Sequence, residues 1–277
     1  MNPGDPIDRY VIERVLGEGG MSVVYLARHN RLRSLHAIKV LRIEGRSIRD
    51  RLLIEGRVQA SLKHPNVVSV TDVIEDGSRL ALVMEYVDGP TLFSRLDTPM
   101  PTDVALELFR GMVAGVGAAH AAGLVHRDLK PANVLLASTN IGIVPKVTDF
   151  GLVKVVSEGT TRSGVMMGTP NYMSPEQVRD ASSVDHRSDL WSLGVLLYEM
   201  LTASTPFGAE DHLTTYNRIA SADRIPIGEL RPDLPPAVVD TVDRMLRVDL
   251  DERIGSASEV LEALFDDASL NASAVDP

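Results

Sequence analysis

The chain has 277 residues, with 28 Lys and Arg against 38 Asp and Glu, for a formal net charge of −10. Its lack of cysteine excludes disulfides, thiolate metal sites and a cysteine nucleophile, and its acidic balance argues against nucleic acid as a main partner. Hydrophobic residues at 44% and charged residues at 24% describe an ordinary globular chain able to bury its own core, as one large domain or two.

The opening MNPGDPIDRY is polar and carries no apolar leader. YVIERVL from Tyr10, SVVYLARHN from Ser22 and SLHAIKVL from Ser34 each mix β-branched and apolar residues between polar turns, which predicts three strands. Over 46–63 the period changes. Leu52, Val58 and Leu62 fall at helical spacing, and HPN at 64–66 ends the helix because the residue before a proline leaves the α region. VVSVTDVIE and RLALVMEYV predict a hairpin around DGS.

After DGP at 88–90 the composition turns helical. Long helices are predicted over 102–122, 187–202, 211–221, 235–247 and 256–266. Residues 126–151 read as loops and short strands, and 152–186 as one long functional loop rich in Ser, Thr, Gly and Pro. Gly111 and Gly115 form a GxxxG pattern, read as close helix packing. The most apolar run, LWSLGVLLYEML at 190–201, is too short to span a bilayer and suits a buried helix. The expected organisation is a single domain over 1–277: a β-rich lobe at 8–87, a helical lobe at 88–266, a hinge near 85–89 and a tail at 267–277.

Five segments could carry chemistry. LGEGGMSVVY at 16–25 joins two strands through Gly17, Gly19 and Gly20, and glycines let backbone N–H groups approach phosphate oxygens. A strand follows, so it is no dinucleotide fingerprint, and no GK[ST] closes it as a Walker A loop. In HAIK at 36–39, Lys39 lies among apolar strand residues and needs an anionic partner if its head turns inward; Glu55 on the following helix is the natural candidate. HRDLKPAN at 126–133 offers a carboxylate (Asp128), a cation (Lys130) and a hard amide oxygen (Asn133) within six residues. DFG at 149–151 adds a second hard oxygen ligand, and GTPNYMSPE at 168–176 reads as a rigid loop.

In this order and with these gaps, the five segments resemble the signature set of eukaryotic-type serine/threonine protein kinases, and GEGGMS looks most like the bacterial branch. The resemblance spans about residues 8–266. It implies an α+β, bilobal protein-kinase-like fold: a small antiparallel sheet with one helix above a larger, mainly helical lobe. It implies ATP and Mg²⁺ as cofactors and Ser/Thr-bearing proteins as substrates, with no nucleic-acid partner. Self-association for trans-autophosphorylation is plausible for the branch. The expected location is the cytoplasm, or the cytoplasmic part of a longer membrane-anchored protein.

The resemblance also assigns residues. Leu16, Gly17, Glu18, Gly19, Gly20, Met21, Ser22, Val23 and Val24 would cover the phosphates, with Ser22 standing where the usual pattern has a third glycine. Val24 and Ala37 would cap the adenine, Leu135 would floor it and Met84 would stand behind it. Glu85 and Val87 would offer backbone groups to its edge. Lys39 would hold the α- and β-phosphates and pair with Glu55, making helix 46–63 a candidate switch. Asn133 and Asp149 would bind Mg²⁺, Asp128 would orient the substrate hydroxyl and take its proton, and Lys130 would steady the γ-phosphoryl group. His126 would be structural, packed near Phe150. Asp189 would hold the catalytic-loop backbone, and Arg253 would pair with Glu176. Arg127 and Lys154 would receive a phosphate placed on Thr161 or Ser163 and so order the 152–167 loop. A pseudokinase would lack one of Lys39, Asp128, Asn133 or Asp149, all present here. GTPNYMSPE, a platform for an extended peptide, argues against a small-molecule kinase.

Overall fold

The computed structural model describes residues 1–19, 22–42, 46–76, 79–140, 142–150, 170–180 and 184–266. The alternating β-branched segments form a six-stranded antiparallel sheet from β1 (Pro6–Ile7), β2 (Tyr10–Glu18), β3 (Ser22–His29), β4 (Leu35–Leu41), β5 (Val70–Asp76) and β6 (Arg79–Glu85), in the order β1-β2-β3-β4-β6-β5. Strand β4 is interior, and its residues from Ala37 to Leu41 are buried without alternation. A strand covered on both faces reads as a continuous apolar run, which is how Lys39 comes to be only 7% exposed.

One face of the sheet buries Tyr10, Ile12, Tyr25, Ile38 and Val83. A second apolar cluster gathers Ala37, Val68, Val70, Met84, Val87 and Ala137, with Val24, Leu135 and Val144 packed against it. That cluster joins strands of the sheet to a separate hairpin, β7 (Val134–Thr139) and β8 (Gly142–Val147). Helix α1 (Arg46–Ser61) runs between β4 and β5, ending ahead of HPN as the proline requires.

The second half is helical: α2 (Thr102–Ala121), α3 (Pro175–Arg179), α4 (Arg187–Thr202), α5 (His212–Ser221), α6 (Ile227–Leu230), α7 (Pro236–Met245) and α8 (Ala257–Phe265). Helix α4 is buried almost all round, and its Trp191 stacks on Phe207 with ring centroids 5.1 Å apart. The bilobal α+β architecture is the one expected.

Two expectations need correction. Gly111 and Gly115 do not mark a helix–helix seam. A Cβ at Gly111 would meet the Asn66 amide and the Pro145 ring at 2.7 Å, and one at Gly115 would meet the Asn66 carbonyl at 2.7 Å. The bare side of α2 therefore admits the 64–66 turn and strand β8. Within the described part of 152–186 there is also regular structure: a 3₁₀ turn at Pro170–Tyr172, then α3. Ser174 caps α3 through a reciprocal box with Gln177, and Pro175 sits in its first turn. The S-x-x-Q spacing carried that signal.

Candidate active site

Strand register sets the upper wall of the cleft. Ala37 lies opposite Leu26 and Met84, and Lys39 opposite Val24 and Leu82. Val24, Ala37, Met84, Val87 and Leu135 all belong to the apolar cluster that spans sheet and hairpin. Leu16, Gly17 and Glu18 end β2, whose register slips between Val15 and Gly17. Val23 and Val24 face Glu18 and Gly17 across the turn, and the Gly19 N–H donates to the Ser22 carbonyl at 2.9 Å. Gly20 and Met21 lie outside the described residues. The Glu85 N–H is already committed to the Ser69 carbonyl at 3.0 Å, so that group is not available to a ligand.

The lower wall is the 126–133 loop, and buried polar contacts fix its shape. Asp189, fully buried at the start of α4, accepts from the backbone N–H of His126 and of Arg127, each at 2.8 Å, and from the His120 ring at 2.8 Å. A carboxylate taking several such bonds does what an N-cap does for a helix, but for an irregular loop. The His126 ring packs 4.8 Å from that of Phe150. Its Nδ1 accepts from the Asp128 N–H at 3.2 Å, and its Nε2–H donates to the Thr148 carbonyl at 2.8 Å. With both nitrogens bound to backbone, His126 has none to offer a substrate, which agrees with its expected structural role.

Sequence reasoning assigned no role to His120 or Gln177. Gln177 Nε2 donates to the Arg127 carbonyl at 2.7 Å. Gln59 donates from α1 to the Phe150 carbonyl. Each contact joins residues distant in sequence, and no local pattern marks it.

The functional groups converge between the walls. Lys39 Nζ lies 2.7 Å from Asp149 Oδ2, although 110 positions separate them. Lys130 Nζ lies 2.7 Å from Asp128 Oδ2. Asn133 Nδ2 donates to the Asp128 carbonyl at 2.8 Å, which orients the amide, and its oxygen has no hydrogen-bond partner among the described residues. Arg127 and Asp149 adopt φ of 68° and 69°, left-handed backbone that side chains rarely take. Such strain persists where surrounding contacts over-determine it, and it clusters at functional sites. The side chain of Glu55 lies outside the described set, so Lys39 is seen with Asp149 alone. Lys154, Thr161 and Ser163 also fall outside the described residues. Arg127 lends one guanidinium N–H to the Val184 carbonyl at 3.2 Å.

Behind the lower wall, Arg253 and Glu176 form the expected pair, at 2.8 Å with the arginine side chain fully buried. Burial alone would raise the Glu176 carboxyl, but hydrogen bonds and charge from Arg253, together with Ser188, outweigh it and hold the group below its ordinary value. Nearby, Tyr172 donates to Glu199 at 2.8 Å. Burial pushes both groups up, and the hydrogen bond pulls Glu199 partly back.

The residues fit a hard divalent cation. Mg²⁺ favours one or two protein oxygens, completed by water and substrate phosphates, over an all-protein cage. Asp149 and the oriented Asn133 oxygen are donors of that kind, and among the described residues no group of three or more His, Cys, Asp or Glu gathers into a cage.

Comparison with known proteins agrees with this geometry. The protein kinase domain family matches residues 10–265. The chain is 38% identical over 266 residues to serine/threonine-protein kinase pkn2 of Myxococcus xanthus, covering 92% of this chain and 32% of that protein. It is 37% identical over 264 residues to serine/threonine-protein kinase PknB of Mycobacterium leprae, covering 91% and 42%. The chain thus spans 32% and 42% of the length of these two relatives. Among solved structures, Rad53 1–466 in complex with AMP-PNP superposes with a TM-score of 0.77 at 27% identity, over 92% of this chain and 64% of that one.

Proposed function

The chain belongs to the protein kinase family, in its bacterial serine/threonine branch, and from that premise we propose that it transfers the ATP γ-phosphoryl group to Ser and Thr hydroxyls of proteins. The observation that carries this reading is the 2.7 Å contact between Lys39 of the small lobe and Asp149 of the large one, above a loop that presents Asp128, Lys130 and Asn133. The similarity to a structure holding AMP-PNP supports ATP as the nucleotide.

In this proposal the adenine lies in the cluster of Val24, Ala37, Met84, Val87 and Leu135, with its edge against the backbone of Glu85 and Val87. The 16–24 turn covers the phosphates, and Lys39 holds the α- and β-phosphates. Asp149 and Asn133 hold Mg²⁺, which supplies neutralisation of phosphate charge when bound. Asp128 orients the substrate hydroxyl. A bond forms from that oxygen to the γ-phosphorus, the bond from phosphorus to the β–γ bridging oxygen breaks, and ADP leaves. The hydroxyl proton passes to Asp128, and Lys130 stays beside both the carboxylate and the transferring group. Little of this is covalent work by the protein, because phosphoryl transfer rests on positioning and electrostatics.

Autophosphorylation belongs to the same proposal. A phosphate on Thr161 or Ser163, docked on Arg127 and Lys154, orders the 152–167 segment, and pairing of two copies lets each modify the other. The proposed setting is the cytoplasm or the cytoplasmic part of a longer protein. Among the described residues no helix is long and apolar enough to cross a membrane.

The test is incubation with Mg²⁺, γ-labelled ATP and a generic basic protein, followed by phosphoamino-acid identification. Label on Ser or Thr, lost in Lys39→Met and in Asp128→Asn, is the expected result. Persistence of transfer in either variant overturns the residue roles.

A further inference from the structure

A cavity of about 720 Å³ lies beside the end of α1, bounded by the 63–65 turn, the start of β5 and strand β8. Of its lining residues only Val70 shares the apolar cluster assigned to adenine. The volume falls in the range of small-molecule sites, roughly 300–1,000 Å³. Ala60, Pro65 and Val70 give it apolar walls, Lys63 and Lys146 are its basic lining residues, and no lining residue is acidic. On a chain of net charge −10, a concave surface whose charged lining residues are both lysines is a departure from the surroundings, with Glu85 offsetting one of the two charges.

The donors are in part uncommitted. Lys63 is exposed and has no carboxylate partner among the described residues. Lys146 contacts both Glu85 oxygens, at 2.9 and 3.2 Å. An ammonium has three N–H donors, so one is left over. The Ser69 backbone N–H is bound to Glu85 at 2.8 Å, and its hydroxyl has no partner among the described residues. His64 accepts from the Asn66 N–H at Nδ1, at 3.2 Å, which puts its remaining proton on Nε2. Burial, and then the charge of Lys146, lower its pKa, so the ring serves as a neutral donor and adds no third charge.

We propose that this cavity is a second binding site, for a small phosphate monoester whose dianionic head sits between Lys63 and Lys146. The charge of Lys63, with the spare N–H that Lys146 keeps beside its Glu85 partner, suits the anionic head of a monoester, which carries about −1.5 to −2 at pH 7. The volume and apolar walls call for an organic group behind the phosphate. The site is also connected to the nucleotide pocket. Lys146 stands opposite Leu135 in the β7–β8 register and is ion-paired with Glu85, so an occupant sits next to both the floor and the edge assigned to adenine.

The test is calorimetric titration of phenyl phosphate into the full chain, with inorganic phosphate and phenol in parallel. Saturable binding of phenyl phosphate is expected, tighter than either control. Its Kd should rise at least tenfold in Lys63→Gln and in Lys146→Gln and stay unchanged in Lys39→Met, which disables the nucleotide site. Lys63 is exposed and has no ion-pair partner among the described residues, so Lys63→Gln should unfold at the wild-type midpoint and secure the result if Lys146→Gln is unstable. Unchanged affinity in a folded Lys63→Gln, or loss of binding in Lys39→Met, overturns the site. Inorganic phosphate binding as tightly as the monoester overturns the ligand class, as does phenol doing so.

Discussion

The two walls of the cleft are built differently. The lower wall is locked: Asp189 holds two backbone N–H groups, His126 spans two more backbone positions, and Arg253 with Glu176 anchors the helix behind. The upper wall is one end of the sheet, whose glycine turn is steadied, among the described residues, by the β2–β3 ladder, the Gly19–Ser22 backbone bond and Arg42–Glu18, an ion pair with both side chains more than half exposed. In a low-dielectric interior, polar contacts are strong and unforgiving; at the surface they are screened and weak. In the proposed mechanism, the residues that meet the reacting hydroxyl sit on the locked wall, and those that admit the nucleotide sit on the other.

The largest effect expected from this contrast is kinetic. Asp128→Asn should lower kcat by about 10²–10⁴-fold, the usual range for a lost proton acceptor, with no change in ATP affinity or thermal unfolding. A proportionate loss of stability would mean that Asp128 is part of the locked scaffold and not its cargo.

Arg253→Ala leaves the buried Glu176 without its cation, and breaking such a pair costs about 3–5 kcal/mol. Chemical denaturation should show that loss. The same pair predicts an acid limb. The Glu176 pKa is lowered on folding from its ordinary 4.5, so its stabilisation is complete above about that pH and disappears as pH falls through the lowered value. Glu176→Gln should flatten stability against pH in that window, and an unaltered slope would remove Glu176 from the account.

Gly89 sharpens the boundary between the walls. A Cβ there would lie 1.9 Å from the Leu136 carbonyl oxygen, a backbone atom that cannot swing aside. Gly89→Ala should destabilise by about 1–3 kcal/mol or more and raise KM for ATP by parting the hinge from β7, read by denaturation and steady-state kinetics. The smallest effect belongs to the upper wall. Arg42→Ala should cost about 0–1 kcal/mol, and a loss near that of Arg253→Ala would erase the contrast.

Much of this was legible in the sequence, for physical reasons. The strands of the small lobe announce themselves by β-branched residues between turns, and α2, α4, α5, α7 and α8 by apolar period, to within a residue or two. HRDLKPAN and DFG are local strings, so Asp128, Asn133 and Asp149 stand out in the sequence as candidates, and the structure sets Asn133 against the Asp128 carbonyl and Asp149 against Lys39. The Asp189 and Arg253–Glu176 contacts were expected through the family resemblance, since they join distant positions. Legibility failed where one residue faces an unrelated backbone. The glycines of α2 imply a close neighbour without naming it, and Asn66 with Pro145 could be found only in three dimensions. Helix α3 was overlooked although its capping box was present, because five residues give too little periodicity to register.

The central claim is that Lys39 and Asp149, from opposite lobes, close on one metal-bearing triphosphate. It is tested most directly by titrating AMP-PNP with Mn²⁺, a paramagnetic stand-in for Mg²⁺, and following the bound metal by electron paramagnetic resonance. Wild type and Asp128→Asn should both bind the metal–nucleotide complex, while Asp149→Asn and Lys39→Met should weaken it at least tenfold, about 1.4 kcal/mol. Wild-type affinity in Asp149→Asn would contradict the account.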